Sequence, residues 1–471
     1  QGYAGEVEPM ISSVSWLVQH GEPLYHPVDS PARYSVLYGP SVYLTNGFFL
    51  QVFGPHLAAT KLASLLASVL SLVFLYGAVA KQRWDKVGLL AVLLAVLYYW
   101  NQGFSIYLVR PDAFLVFSVS FALLAVQRSR RWLAILAIGA ALGFAVNLKV
   151  HAGLYFLPVM VLFQQRNGWL SSFFVLILGA LVASTRFAGS LLLPLAAVLL
   201  LTGNSKRWLK REGWLLLCLI LVLGMTLVLS SKPGAGLVHL LPLVPVFVFL
   251  AANLARDLDH SHWTALEIES RQLMVGRAAV GVLFVTLILA GGVHAYRSSM
   301  LVRWSNRNTN ALALDIDSIM SQYGELKISM AFGGENDSFR NTWLRPLLVF
   351  ANNPLLVDPI AVMDCRMAGL EMSDQTVEAI TLGKVGLWLV PLAQTPFQKS
   401  NWYAPHDRIF PDRFTDKFLD NYSLKGHSEF FDLYFWNGLA GVSVSEPGLA
   451  IKQGVGWVSG ELGSFPMLNS K

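Results

Sequence analysis

Four lone cations each close one end of a different apolar stretch: Arg110 in R-P-D, Lys149 in L-K-V-H, Arg186 in S-T-R-F and Lys232 in S-S-K-P-G. Two histidines, His151 and His239, follow close behind Lys149 and Lys232. A charge at the edge of hydrocarbon is costly, so it snorkels to the headgroups, finds a partner or waits for a ligand. Snorkelling is the plain alternative for any one of them. Four stretches that each present one cation make a set suited to a phosphate at the membrane surface, with Lys supplying point charge and Arg two parallel hydrogen bonds.

Three carboxylates complete the candidate chemistry. Glu6 and Glu8, in G-Y-A-G-E-V-E-P, precede a helical stretch at Met10–Gln19, and Pro9 suits a first helical turn. A carboxylate held at the outer membrane face can take the proton from an attacking hydroxyl. One of the two glutamates reads equally well as a helix cap. Asp112, two residues after Arg110, is either a structural ion pair favoured at a helix start or a further candidate base. The catalytic candidates are therefore Glu8, Glu6 and Asp112, and the phosphate candidates are Arg110, Lys149, His151, Arg186, Lys232 and His239. No Cys/His metal spacing, glycine-rich phosphate loop or fixed-period repeat accompanies them, so neither a metal nor a cofactor is expected. Cys218 falls mid-span and Cys365 in the C-terminal region, so no disulfide is expected.

The elements that must position these residues follow from composition. The chain is 54% hydrophobic and 14% charged, with a mean hydropathy of +0.51. A soluble chain carries roughly 25% charged residues, so most of this one is not wetted. A bilayer span needs about 20 apolar residues. The pattern predicts ten spans, at about 57–80, 87–107, 111–127, 132–148, 150–164, 169–186, 187–202, 213–231, 236–254 and 276–296. Ser41–Phe53 is too short and reads as an interfacial or re-entrant helix. Lys and Arg mark cytoplasmic loops. Alternate loops carry fourteen of them (Lys81, Arg83, Lys86; Arg128, Arg130, Arg131; Arg166; Lys206, Arg207, Lys210, Arg211; Arg256, Arg271, Arg277) against the four lone cations. That asymmetry sends residues 1–56 and everything after 296 outside the cytoplasm, and predicts a further span before Gln1. It also accounts for most of the +6 net charge, so no nucleic-acid partner is implied.

Several runs resemble the GT-C glycosyltransferases, nearest the bacterial relatives of protein O-mannosyltransferases and aminoarabinose transferases. They are E-V-E-P, L-V-Q-H-G-E-P-L-Y, Y-G-P-S-V-Y, F-G-P-H-L-A-A-T-K-L-A-S and R-P-D at 110–112. Glu8 stands seventeen residues before Tyr25 of the G-x-P-x-Y element, the spacing that these enzymes show. The resemblance implies a polyprenyl-phosphate sugar donor, a metal-poor inverting transfer and a catalytic carboxylate in the first outer loop, here Glu8 with Glu6 in reserve. It departs from the relatives' adjacent Asp-Glu pair, since Val7 stands where the Asp would be. The acceptor would be an extracytoplasmic glycan, lipid or protein, and the setting the cell envelope.

The expected architecture is a polytopic α-helical membrane protein, GT-C-like, with an extracytoplasmic mixed α/β domain at its C-terminal end. Residues 1–56 form the first outer loop, 57–296 the transmembrane domain and 297–471 the outer domain. Strands are expected at Lys327–Phe332, Leu347–Phe350, Val385–Val390 and Phe430–Phe435, and helices at Thr309–Gln322 and Ser373–Leu382. Trp402, Tyr403, Tyr422, Phe431 and Trp436 suit sugar stacking, though core packing is the better expectation. Two other classes share the polytopic pattern: a lipid-linked sugar transporter, which should show paired half-repeats, and a non-catalytic or degenerate transferase-like subunit.

Overall fold

The computed structural model describes residues 3, 5–34, 38–101, 108–167, 205–230, 237–257, 270–334, 337–402, 404 and 406–439. Arg186, Lys232 and Tyr403, and the two expected spans at 169–186 and 187–202, lie outside them.

Among the described residues the first ten helices are α1 (Val7–Gln19), α2 (Pro40–Phe53), α3 (Leu57–Val79), α4 (Lys86–Asn101), α5 (Asp112–Arg128), α6 (Arg131–Val146), α7 (Gly153–Asn167), α8 (Ser205–Ser230), α9 (Val244–Asp257) and α10 (Ser270–Tyr323). Apolar runs of this kind become helices because no water is at hand to satisfy the backbone of anything else. Among the described residues, α3 is the one helix long and apolar enough to cross a bilayer, with a mean hydropathy of 2.2 in its most apolar window. At about 1.5 Å per residue it spans about 35 Å. Six shorter apolar helical runs accompany it. The buried face of α3 is built of small residues, Ala59, Ala63, Ser64, Ala67, Ser68 and Ser71, which lets α5 pack closely against it. Its other face exposes Leu65, Leu66, Val69 and Val73, and similar exposed rows continue on α6 (Ile135, Leu136) and α10 (Val285, Leu289). Large apolar side chains exposed in such numbers mark an interaction surface for lipid or protein.

The bundle has two polar ends. At one, Asp85 caps α4 by accepting the N–H groups of Val87 and Gly88 at 2.9 and 3.1 Å and pairs with Arg256 at 2.7 Å. Arg256 also donates to the Val79 carbonyl, and Arg128 to those of Gly77 and Ala80. Three of the basic loops thus meet at one end of α3. Arg110, Lys149 and the carboxylates Glu8 and Asp112 gather at the other.

Two segments roof that second end. The expected interfacial helix is α2, with Val42, Tyr43, Asn46 and Leu50 buried beneath it and Leu44, Phe48 and Val52 exposed. Its start is clamped to the end of α6: Gly39 and Ser41 donate N–H bonds to the carbonyls of Leu148 and Asn147. A Cβ at Gly39 would stand 2.1 Å from the Asn147 oxygen, which explains the glycine in Y-G-P-S.

The C-terminal domain grows directly out of the bundle. Helix α10 runs unbroken across residue 296, so the change from apolar to wetted composition falls inside one helix and not at a linker. Beyond it, β1 (Ile328–Met330), β2 (Leu387–Pro391), β3 (Tyr422–His427) and β4 (Phe431–Trp436) form a sheet in the order β1-β2-β4-β3, with β1 and β2 parallel and the other pairs antiparallel. Helices α11 (Arg345–Phe350), α12 (Pro359–Met367), α13 (Asp374–Thr381) and α14 (Asp412–Asn421) complete it. The expected strand at Leu347–Phe350 is corrected to helix α11. Pro346 sits in its first turn, where the missing N–H costs nothing. Tyr422 and Phe431 are buried core residues, whereas Trp402 is 39% exposed.

The N-terminal segment before α2 is stitched to this domain. Arg33 and Val357 form a parallel bridge, the Ser373 hydroxyl donates to the Asp29 carbonyl at 2.6 Å, and that of Thr376 to Pro31 at 2.8 Å.

Candidate active site

Five elements deliver the site. Helix α1 brings Glu8, in its first turn and fully buried. Its Oε1 accepts the backbone N–H of Val109 at 2.9 Å and lies 3.7 Å from Nζ of Lys61, one turn into α3. Tyr3 closes this corner: its hydroxyl donates to Ser12 at 2.6 Å and lies 3.2 Å from the Thr60 hydroxyl, while Lys61 sits over its ring.

The segment after Val109 turns into α5 through R-P-D. Asp112, at the helix start and fully buried, pairs with Lys149 Nζ at 2.9 Å and with Arg110 Nε at 3.4 Å. Lys149 arrives from the end of α6, where a short 3₁₀ turn (Val150–Ala152) reverses the chain, and its ammonium faces the Tyr38 ring. Arg110 engages the Tyr38 hydroxyl and also feels the charges of both Asp112 and Glu8. The same turn carries His151, whose Nε2 lies 3.2 Å from Nδ1 of His239 on the 3₁₀ segment Leu237–Leu243. The electrostatic reach of His239 includes Asp112, Lys149 and Arg110.

Of the sequence-predicted residues within the described part, Glu8, Arg110, Asp112, Lys149, His151 and His239 therefore share one neighbourhood, drawn from separate elements. They point inward and toward one another, not radially to lipid. Glu6 does not join them; its carboxylate pairs with Arg345 of the outer domain at 2.7 Å. Tyr25, the end of the spacing argument, is 62% exposed. Sequence reading missed Lys61, Tyr38 and Tyr3. All three lie in or beside the runs already quoted, and Lys61 was legible as a cation near the outer end of an apolar stretch.

Two carboxylates, Glu8 and Asp112, face three basic side chains, Lys61, Arg110 and Lys149, so the described cluster has one more basic than acidic group before either histidine is counted. Asp112 is committed to two of the cations. The Arg110 side chain is 24% exposed against 5% for Lys149, which makes Arg110 the cation with reach to a ligand. A buried, positively biased cluster with a carboxylate inside it can bind a phosphate and take a proton beside it.

Fold and site together define a bundle of apolar helices joined to a small α/β domain. A crystal structure of ArnT from Cupriavidus metallidurans bound to undecaprenyl phosphate has this fold, with a TM-score of 0.50 and 12% sequence identity over 92% of this chain and 94% of that one. Residues 38–191 match the family profile described as dolichyl-phosphate-mannose-protein mannosyltransferase. No curated protein sequence matches this chain.

Proposed function

We propose that this protein moves a sugar from a polyprenyl-phosphate donor to an acceptor hydroxyl at the extracytoplasmic face of the membrane. The observation that carries the reading is the convergence of Glu8, Arg110, Asp112, Lys149, His151 and His239 at the end of the bundle remote from the basic loops. The family match and the GT-C fold support the same chemistry.

In this reading the lipid tail lies against the apolar helices and its phosphate meets Arg110 and Lys149, with His151 and His239 beside them. Glu8 takes the proton of the acceptor hydroxyl as its oxygen attacks the anomeric carbon. The bond from that carbon to the phosphate oxygen breaks, and the electron pair leaves with polyprenyl phosphate. The cations stabilise the negative charge that develops there, commonly the largest single contribution to such a rate. Asp112 holds Lys149 and Arg110 in place. Arg186 and Lys232 are proposed to extend the phosphate site.

The test is binding of undecaprenyl phosphate to the purified protein in detergent. Saturable binding that Arg110→Gln and Lys149→Gln weaken supports the reading. Binding indifferent to both substitutions contradicts it.

A further inference from the structure

Arg345 opens α11 in the outer domain and is 1% exposed. Two carboxylates share its guanidinium, Asp358 at 2.6 Å and Glu6 at 2.7 Å. The same group lies 3.4 Å from the main-chain oxygen of Glu6 and donates to the Thr342 carbonyl at 3.1 Å. Glu6 is thus held by side chain and backbone at once, at the N-cap position of α1, where its side chain makes no capping bond. Asp358 is fixed in turn, accepting the Ile360 N–H at 3.0 Å and donating its own N–H to Arg33 at 2.9 Å. Along the rest of its length α1 lies on α11, with Trp16 edge-on to Phe350 at 5.6 Å.

A buried ion pair is a poor source of net stability, because desolvation offsets its attraction and an apolar contact would join the two elements as well. What a guanidinium between two carboxylates adds is geometry, since its planar donors accept their partners in one arrangement. The chain position that receives this constraint is two residues from Glu8. An error of about 1 Å in a reacting group can cost roughly 10²-fold in rate.

We propose that Arg345 is a positioning residue for Glu8: by gripping Glu6 it sets the start of α1, so that the outer domain fixes where the carboxylate stands in the membrane site. The functional meaning rests on Glu8 being the base, while the mechanical claim stands apart from it. Glu6 is on this account an anchor and not a reserve base, which gives the outer domain a task inside the transfer reaction.

The Val109 amide reports the claim directly, because Glu8 accepts its hydrogen bond. Hydrogen–deuterium exchange would be followed on the full chain in lipid nanodiscs for wild type, Arg345→Met, Arg345→Lys and Glu6→Gln. Arg345→Met should speed exchange at Val109 and in the first turn of α1 by about tenfold or more, leaving α5 and β2 at their wild-type rates. Arg345→Lys should recover part of the protection, and undecaprenyl phosphate should bind all variants alike. Glu6→Gln, which leaves the Arg345–Asp358 pair intact, should loosen the same residues to a smaller degree and serves if Arg345→Met does not fold. Unchanged exchange at Val109 and α1 overturns the proposal, as does a rise spread evenly over α5 and β2. Failure of Glu8 as base shows elsewhere, in the turnover of Glu8→Gln.

Discussion

Glu8 accepts the backbone N–H of Val109 at 2.9 Å across 101 positions of sequence, and the next residue after Val109 is Arg110. One hydrogen bond therefore ties the acidic motif of the first outer loop to the R-P-D turn that launches α5. The carboxylate on one side of the site and the cation on the other are spaced by main chain, which is stiffer than any side-chain contact between them.

The Asp112–Lys149 pair gives a stability prediction. The side chains are 0% and 5% exposed, so Asp112→Asn leaves a buried ammonium with Arg110 on the same side and no full counter-charge. Removing one partner of such a pair costs ~3–5 kcal/mol. Thermal unfolding in detergent should show a clear drop for Asp112→Asn and a smaller one for Asp112→Asn combined with Lys149→Met. Equal losses in the single and double variants would contradict the pairing.

Glu6 gives the pH dependence. Burial, opposed by Arg345 and reinforced by the charge of Asp358, pushes its carboxyl up from 4.5 to about 7. As pH rises the unfolded chain releases this proton first, so the folded state binds more protons across that interval and stability falls with pH. The melting temperature should therefore decline from about pH 4.5 to about pH 7 on account of this group. Glu6→Gln should flatten that part of the profile. A profile of the same slope in Glu6→Gln would show that another group causes the decline.

The proposed sidedness can be tested at the two polar ends. Arg83→Cys and Asn421→Cys, made without the native cysteines Cys218 and Cys365, should react with a membrane-impermeant maleimide from opposite sides. Asn421 should label in intact cells and Arg83 only after permeabilisation. Labelling of both from the same side would refute the assignment of the active site to the extracytoplasmic face.

The part of the site legible in the sequence was the part where charge is conspicuous. Arg110, Asp112 and Lys149 interrupt apolar runs, and in such surroundings a charged residue needs a reason. Lys61 escaped because it sits one turn inside α3, where it reads as part of a span boundary. Arg345 and Asp358 escaped for the opposite reason, since charges are ordinary in a wetted stretch and nothing in the sequence says that these two are buried. The same holds for the sheet. Strands β2 and β4 carry apolar runs and were foreseen, whereas β3 was not. It is an edge strand, Y-S-L-K-G-H, mostly exposed and bulged between Leu424 and Gly426, features that guard an open edge and also erase the alternating signal. Leu347–Phe350 shows the converse failure, because a short apolar run has no period of its own.

Turnover of Glu8→Gln decides whether Glu8 is the base. Transfer from a radiolabelled undecaprenyl-phosphate sugar would be measured beside undecaprenyl phosphate binding in the same preparation. The substitution keeps the shape of the side chain and removes its ability to take a proton. Turnover should fall by roughly 10²–10⁴-fold with binding at the wild-type level. Near-wild-type turnover in Glu8→Gln would contradict the claim.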